Sequence, residues 1–214
     1  RDFILPVNSA AQAMDLAEQA EGPVVINESS DNPGGGAPGD GTHLLREMLK
    51  RDLPGSAYGF IWDPEVVRQA IAAGVDCCGE NRVQELIEKL SQNAYEGAPI
   101  HFIGRLQTNK VKQVVGVVDL IQSVDREKLL EAIQNEAARQ SIVQDILLEV
   151  NVGREEAKGG FLPEELPPLL EKITQFPNIR VRGLMTVPPI CQKTTDNDKF
   201  FQEMCNIGVD IMTK

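Results

Sequence analysis

The sequence predicts an α/β protein of the (β/α)8 TIM-barrel-like class. Short apolar, β-branched runs alternate with stretches of helical period along the chain. Eight such units can be counted, and 214 residues lies just above the roughly 200-residue lower bound of that barrel. An open, doubly wound parallel sheet is the alternative, because strand pattern alone does not separate the two.

The elements follow in order. Residues 3–7 form a weak first strand, interrupted by Pro6, and Asn8 or Ser9 caps a helix reaching Ala20. Residues 23–28 (PVVINE) are β-branched and strand-like. A glycine-rich loop over 31–41 leads into a helix to about Asp52, with Asp40 or Thr42 as its cap. Residues 57–62 are the next strand, and Asp63-Pro64 supplies an N-cap and an N1 proline for a helix ending at Gly74. A short strand at 76–79 precedes a helix over 81–92, and a strand at 100–104 precedes a helix over 108–115. Leu120–Val124 is a strand, with Asp125 capping a helix to Gln140. A strand over 145–152 is followed by a helix opened by Pro163 and reaching Phe176. Ile179–Met185 is the last strand, and Asp198 opens the last helix. The whole reads as one α/β domain with an internal junction near 72–76, between a segment 1–74 and a segment 75–214.

Bulk composition narrows the partners. Hydrophobic residues make up 42% and charged residues 25%, as in ordinary soluble domains. A net charge of -11 repels phosphate backbones and anionic lipid, so nucleic acid and membrane surfaces are not expected partners. No apolar run is long enough to span a bilayer, and the start, Arg1-Asp2-Phe3, has neither a signal layout nor an initiator Met. That start suggests a fragment or a processed chain, and the expected location is cytoplasmic. Cys77, Cys78, Cys191 and Cys205 form no CxxC pair, and His43 and His101 are too few for most zinc sites. The cysteines read as small apolar residues in a reducing compartment, and no metal is expected.

Chemistry in parallel α/β folds gathers at the C-terminal strand ends. Those positions here are Asn8, Asp31-Asn32, Asp63, Glu80-Asn81, Arg105, Ser123 with Asp125, Asn151 and Met185-Thr186. The rim is rich in hydrogen-bonding groups but carries no GxSxG nucleophile, and no catalytic residue is assigned. Gly34, Gly36 and Gly39 make a literal GxGxxG, and the backbone around Gly34, Gly35 and Gly36 is a candidate anion site. Dinucleotide binding is disfavoured there, because five residues separate the strand from the loop and Asp40 repels phosphate. Lys110 and Lys158 lie in loops after strands, where either could meet an anion or simply be solvated.

Longer runs add two resemblances. The segments AAGVDCCGENRVQEL, HFIGRLQTNKVK, LIQSVDREKLLEAI, DILLEVNVGREEAKGGF, IRVRGLMTVPP and FFQEMCNIGVDIM fall between about Ala72 and Lys214. Together they resemble the pyridoxal-phosphate homeostasis protein family (YggS/PROSC). The resemblance implies a barrel related to the N-terminal domain of alanine racemase, holding pyridoxal phosphate without a known reaction. The implied cofactor positions are Asn81, Lys110, Asn151 and Met185. The family's lysine-bearing first strand (VAVSKTK type) and its SMGMS and VRIG phosphate-binding strands have no counterpart in this sequence.

Residues from about Ala10 to Gly74, including PVVINESSDNPGGGAPGDGTHLLREML and WDPEVVRQAIAAG, resemble the C-terminal domain of the microcystinase C (MlrC) family. That family's metal-binding His/Asp set is not found here. Three βα units from one source and five from another would complete a barrel. The expectation drawn from this is an engineered, designed or recombined hybrid with no enzymatic activity, no cofactor and at most adventitious phosphate or sulfate at its mouth. Imperfect joining of the two parts would favour self-association. The alternative is a pyridoxal-phosphate-binding homeostasis-type protein whose cofactor is held weakly or non-covalently.

Overall fold

The computed structural model describes residues 8–21, 24–26, 42–59, 63–189 and 197–212. They fall into two compact units: Arg1–Asp76 with Ser91–Gly97, and Cys77–Leu90 with Ala98–Lys214.

Among the described residues the first unit carries three short helices. In α1 (Ala10–Glu18), Ser9 is the N-cap: its hydroxyl accepts from the Gln12 N–H at 3.2 Å, and Gln12 accepts from the Ser9 N–H at 3.0 Å. In α2 (His43–Arg51), Arg51 reaches Asp15 at 2.7 Å and Glu18 at 2.9 Å, tying α2 to α1. In α3 (Pro64–Ala72), Asp63 caps the Glu65 N–H at 2.8 Å and Pro64 opens the helix, as the Asp-Pro pair implies.

Of the strands expected here, residues 3–7 and half of both 23–28 and 57–62 lie outside the described residues. Residues 24–26 and 57–59 are described and are not strand, and Val25 is 95% exposed. A β-branched run is only potential strand; without a ladder partner its backbone groups gain nothing from extension. The Gly34–Gly36 loop lies outside the described residues.

Among the described residues the second unit is built on five parallel strands. β1 (Cys78–Glu80), β2 (Ile100–Phe102), β3 (Leu120–Val124), β4 (Gln144–Glu149) and β5 (Ile179–Met185) lie side by side in sequence order. Each crossover steps to the next strand in the same direction, and right-handed crossovers then put every connecting helix on one face. That winding belongs to (β/α) barrels. The doubly wound alternative needs a point where strand order reverses, and these five strands contain none.

The helix-facing side is the core. It pairs Phe102, Ile121, Ile146 and Leu148 with α4 (Val83–Ser91) and α5 (Glu127–Gln140), whose Leu86, Leu129, Leu130 and Ile133 are fully buried. Each such side chain contributes about 2 kcal/mol by leaving water. A 3-10 helix, Thr108–Gln113, replaces the α-helix expected over 108–115 and ends before Gly116, whose φ is +75°. Val111, Val114 and Val115 pack without needing the α-helical rotamer that β-branching restricts. α6 (Leu166–Ile173) and α7 (Asp198–Met212) complete the unit. No described helix is long and apolar enough to cross a membrane.

Candidate functional site

A groove of about 590 Å³ opens at the C-terminal ends of β1, β2 and β3. Its walls are Asn81, Arg82, Val83 and Gln84 after β1, Phe102 to Lys110 on and after β2, and Arg126 after β3. The wall residues after β2 are Arg105, Leu106, Gln107 and Lys110. Four lining side chains are cationic and none is a carboxylate, on a chain whose net charge is -11. An anion entering this groove meets four cationic side chains, of which Arg105 and Arg126 face Asp125 and Arg82 lies 3.5 Å from Glu85.

The loops are held by close backbone contacts. The Ile103 N–H donates to the Glu80 carbonyl at 2.9 Å, and the Ser123 hydroxyl donates to the Gly104 carbonyl. Gly104 lies directly against the Asn81 backbone, which is why β2 ends at Phe102 and not at residue 104.

Asp125 does not cap α5, as the sequence suggested. The N-cap is Arg126, whose Nη1 donates to Asp125 Oδ1, while its Nη2 donates to the Leu106 carbonyl at 3.1 Å. Arg105 Nε lies 3.4 Å from Asp125 Oδ2, and the Asp125 side chain is only 2% exposed.

Asn81 and Lys110 therefore share one groove, whereas Asn151 and Met185 do not line it. Asn151 braces the loop after β4: its Nδ2 donates to the Glu155 carbonyl at 2.9 Å and its Oδ1 accepts from the Glu155 N–H at 3.1 Å. That brace ends β4 at Glu149, three residues before the expected boundary. Met185 is the register partner of Glu149 and gives its carbonyl to the Val150 N–H at 2.8 Å. Lys158 is engaged by Glu155 at 2.7 Å and the Pro188 carbonyl at 3.2 Å. Glu80 faces Lys89 of α4 at 2.7 Å, both buried. Arg82, Gln84, Gln107 and Arg126 were not among the sequence candidates. Their signal was position alone, since each stands within a few residues of a strand's C-terminal end. Among the described residues no group of three His, Cys, Asp or Glu side chains could hold a metal ion.

Glu149, half-buried at the end of β4, is pushed above its ordinary value of 4.5 by burial first and then by the charge of Asp125, with Arg105 opposing. The folded state thus holds this proton more tightly than the unfolded chain. Its stabilising contribution is complete below the ordinary value and is lost as pH rises through the raised one. Glu149→Gln is therefore expected to melt higher than wild type at pH 7. The advantage should vanish well below the ordinary value of 4.5, where both states are protonated, as calorimetric melts across that range would show.

Comparison with known proteins gives two likenesses. The family model "MlrC C-terminus" matches residues 26–116, less than half of the chain. The pyridoxal phosphate homeostasis protein of Aquifex aeolicus is 48% identical over 141 residues, covering 66% of this chain and 62% of that protein. The protein of the same name from Pseudomonas aeruginosa is 35% identical over 153 residues, 69% of this chain and 66% of that protein. The chain thus spans somewhat under two thirds of the length of these curated relatives. Among solved structures, PipY of Synechococcus elongatus PCC7942 superposes with a TM-score of 0.66. Solved with PLP bound, it is 26% identical, covering 77% of this chain and 79% of that chain.

These findings correct the hybrid reading. A recombined chain predicts that one resemblance stops where the other begins, near 72–76, yet the MlrC C-terminus match runs through that point to residue 116. An engineered or de novo chain without a dedicated role is overturned by relatives named for pyridoxal phosphate homeostasis and by a PLP-bound structural neighbour. The expectation of no cofactor loses its support on the same ground. The chain is, over about two thirds of its length, similar to the pyridoxal phosphate homeostasis proteins, on a parallel α/β fold like that of PipY.

Proposed function

We propose that this chain is a pyridoxal phosphate homeostasis-type protein that binds the cofactor at the groove after β1–β3 and turns over no substrate. The observation that carries the reading is the lining itself: four cations and no carboxylate, beside the apolar walls of Val83, Phe102 and Leu106. A phosphate dianion fits the first feature and a flat pyridine ring the second. The names of the relatives and the bound ligand of PipY identify which phosphorylated ring compound to try first.

When bound, the cofactor supplies a reactive aldehyde. The residues here would do the holding. Arg105 and Arg126 are placed to take the phosphate, and Asn81 and Gln107 offer hydrogen bonds to ring substituents. The groove lining holds no carboxylate, histidine or thiol, which leaves acid–base turnover without a pair of groups. The free thiols Cys77, Cys78 and Cys205 suit a reducing cytoplasm as the place of work.

Titration of the protein with pyridoxal phosphate, followed by visible absorption and calorimetry, tests the reading. Saturable binding of one equivalent is expected, with competition by inorganic phosphate. Arg126→Ala should weaken it roughly tenfold or more, the usual effect of losing a hydrogen bond to a charged group. Absence of saturable binding would refute the proposal.

A further inference from the structure

We infer that Asp125 is a positioning residue, a buried carboxylate that holds Arg105 and Arg126 of the groove in their anion-accepting orientation. The inference rests on the proposed groove as the anion site and concerns how that site is kept in shape. At the end of a strand and before a helix, an aspartate ordinarily turns to the helix N–H groups. Here it does not: Arg126 occupies the N-cap position and the carboxylate binds Arg126 through Oδ1 and faces Arg105 through Oδ2 at 3.4 Å.

Three further observations fix the arrangement. The Asp125 side chain is 2% exposed, so water does not compete for its oxygens. The other nitrogen of Arg126 donates to the Leu106 carbonyl at 3.1 Å, so its guanidinium plane is held at two edges between the loops after β2 and β3. Gly159, from the loop after β4, covers the carboxylate so closely that a β-carbon there would stand 2.8 Å from Oδ2. An arginine held this way presents its remaining N–H groups in a fixed fork, the geometry that recognises a phosphate.

The sign of the effect separates positioning from simple charge. Asp125→Asn removes a negative charge beside the groove, so long-range attraction alone predicts equal or tighter anion binding. Positioning predicts the opposite, a roughly tenfold loss of affinity for pyridoxal phosphate and for inorganic phosphate. The loss should be smaller in an Arg126→Ala background, where only Arg105 is left to orient; a merely structural role would weaken binding equally in both backgrounds.

A readout that needs no ligand accompanies the titrations. Nitrogen-15 NMR of the guanidinium groups should show distinct, slowly rotating Nη signals for Arg126 in the wild type and their averaging in Asp125→Asn. Gly159→Ala, which pushes on the same oxygen, should give a smaller change in the same direction and serves if Asp125→Asn folds poorly. Unchanged guanidinium signals, or an Asp125→Asn variant that binds phosphate as tightly as wild type, would overturn the inference. Failure of the wild type to bind pyridoxal phosphate would refute the proposed function alone, since the guanidinium signals still decide the role of Asp125.

Discussion

Gly104→Ala is expected to be the most damaging single change at the groove. A β-carbon at this position would lie 1.9 Å from the Asn81 carbonyl oxygen and 2.4 Å from Asn81 Oδ1. The first of these is backbone, so no side-chain rotation relieves the clash, and the loop after β1 must move as a unit. That loop carries Asn81, Arg82, Val83 and Gln84, one whole wall of the groove. Overpacking of this kind costs about 3 kcal/mol. Urea unfolding should therefore show a lower midpoint at an unchanged slope, and pyridoxal phosphate affinity should fall with it. Gly208→Ala is the matched control. It sits in α7 with nothing within 4 Å of the added carbon, and should gain about 0.5–1 kcal/mol from helix propensity.

Gln144→Leu is expected to be the next largest, acting on stability. Gln144 opens β4 and is 3% exposed, yet it is polar because the chain around it needs an amide. Its Nε2 donates to the carbonyls of Val118 at 3.1 Å and Asp145 at 3.2 Å, and its Oε1 accepts from the Gly116 N–H at 2.9 Å. Leucine matches the volume and supplies none of these bonds. The turn between the 3-10 helix and β3 loses its link to β4, at a cost of roughly 2–3 kcal/mol. Hydrogen exchange should locate the damage, with the Gly116 amide losing protection while α6 amides keep theirs.

The fold was legible where one physical signal dominated. Leu120–Val124 and Ile179–Met185 have the bounds read from sequence, each a short run carrying β-branched residues between polar flanks. Boundaries shifted where a tertiary contact intervened: β2 stops short because Gly104 closes on Asn81, and β4 because Asn151 takes the loop backbone. Asp125 illustrates the harder limit. Its sequence position suits a helix cap, and only the approach of Arg105 and Arg126 from neighbouring loops redirects it.

The same limit governs the site. The rule that chemistry sits at strand C-terminal ends pointed to Asn81, Arg105 and the loop carrying Lys110, and family likeness pointed again to Asn81 and Lys110. It could not say which way Arg126 or Arg82 points, because a side chain at a helix start can face the groove or solvent with the same local sequence. Asn151 and Met185 satisfy the rule equally well and stand outside the groove, one bracing a loop and the other giving its carbonyl to Val150. The long motifs identified the relatives correctly; the inference drawn from the unmatched segments, that function had been lost, did not survive comparison with those relatives.

A crystal structure of the protein grown with saturating pyridoxal phosphate tests the central claim most directly. The account predicts the cofactor in the groove after β1–β3, with its phosphate in hydrogen-bond distance of Arg126 or Arg105 and its ring along Phe102 and Leu106. Cofactor bound away from these residues, or a groove that stays free of it at saturation, would contradict the account.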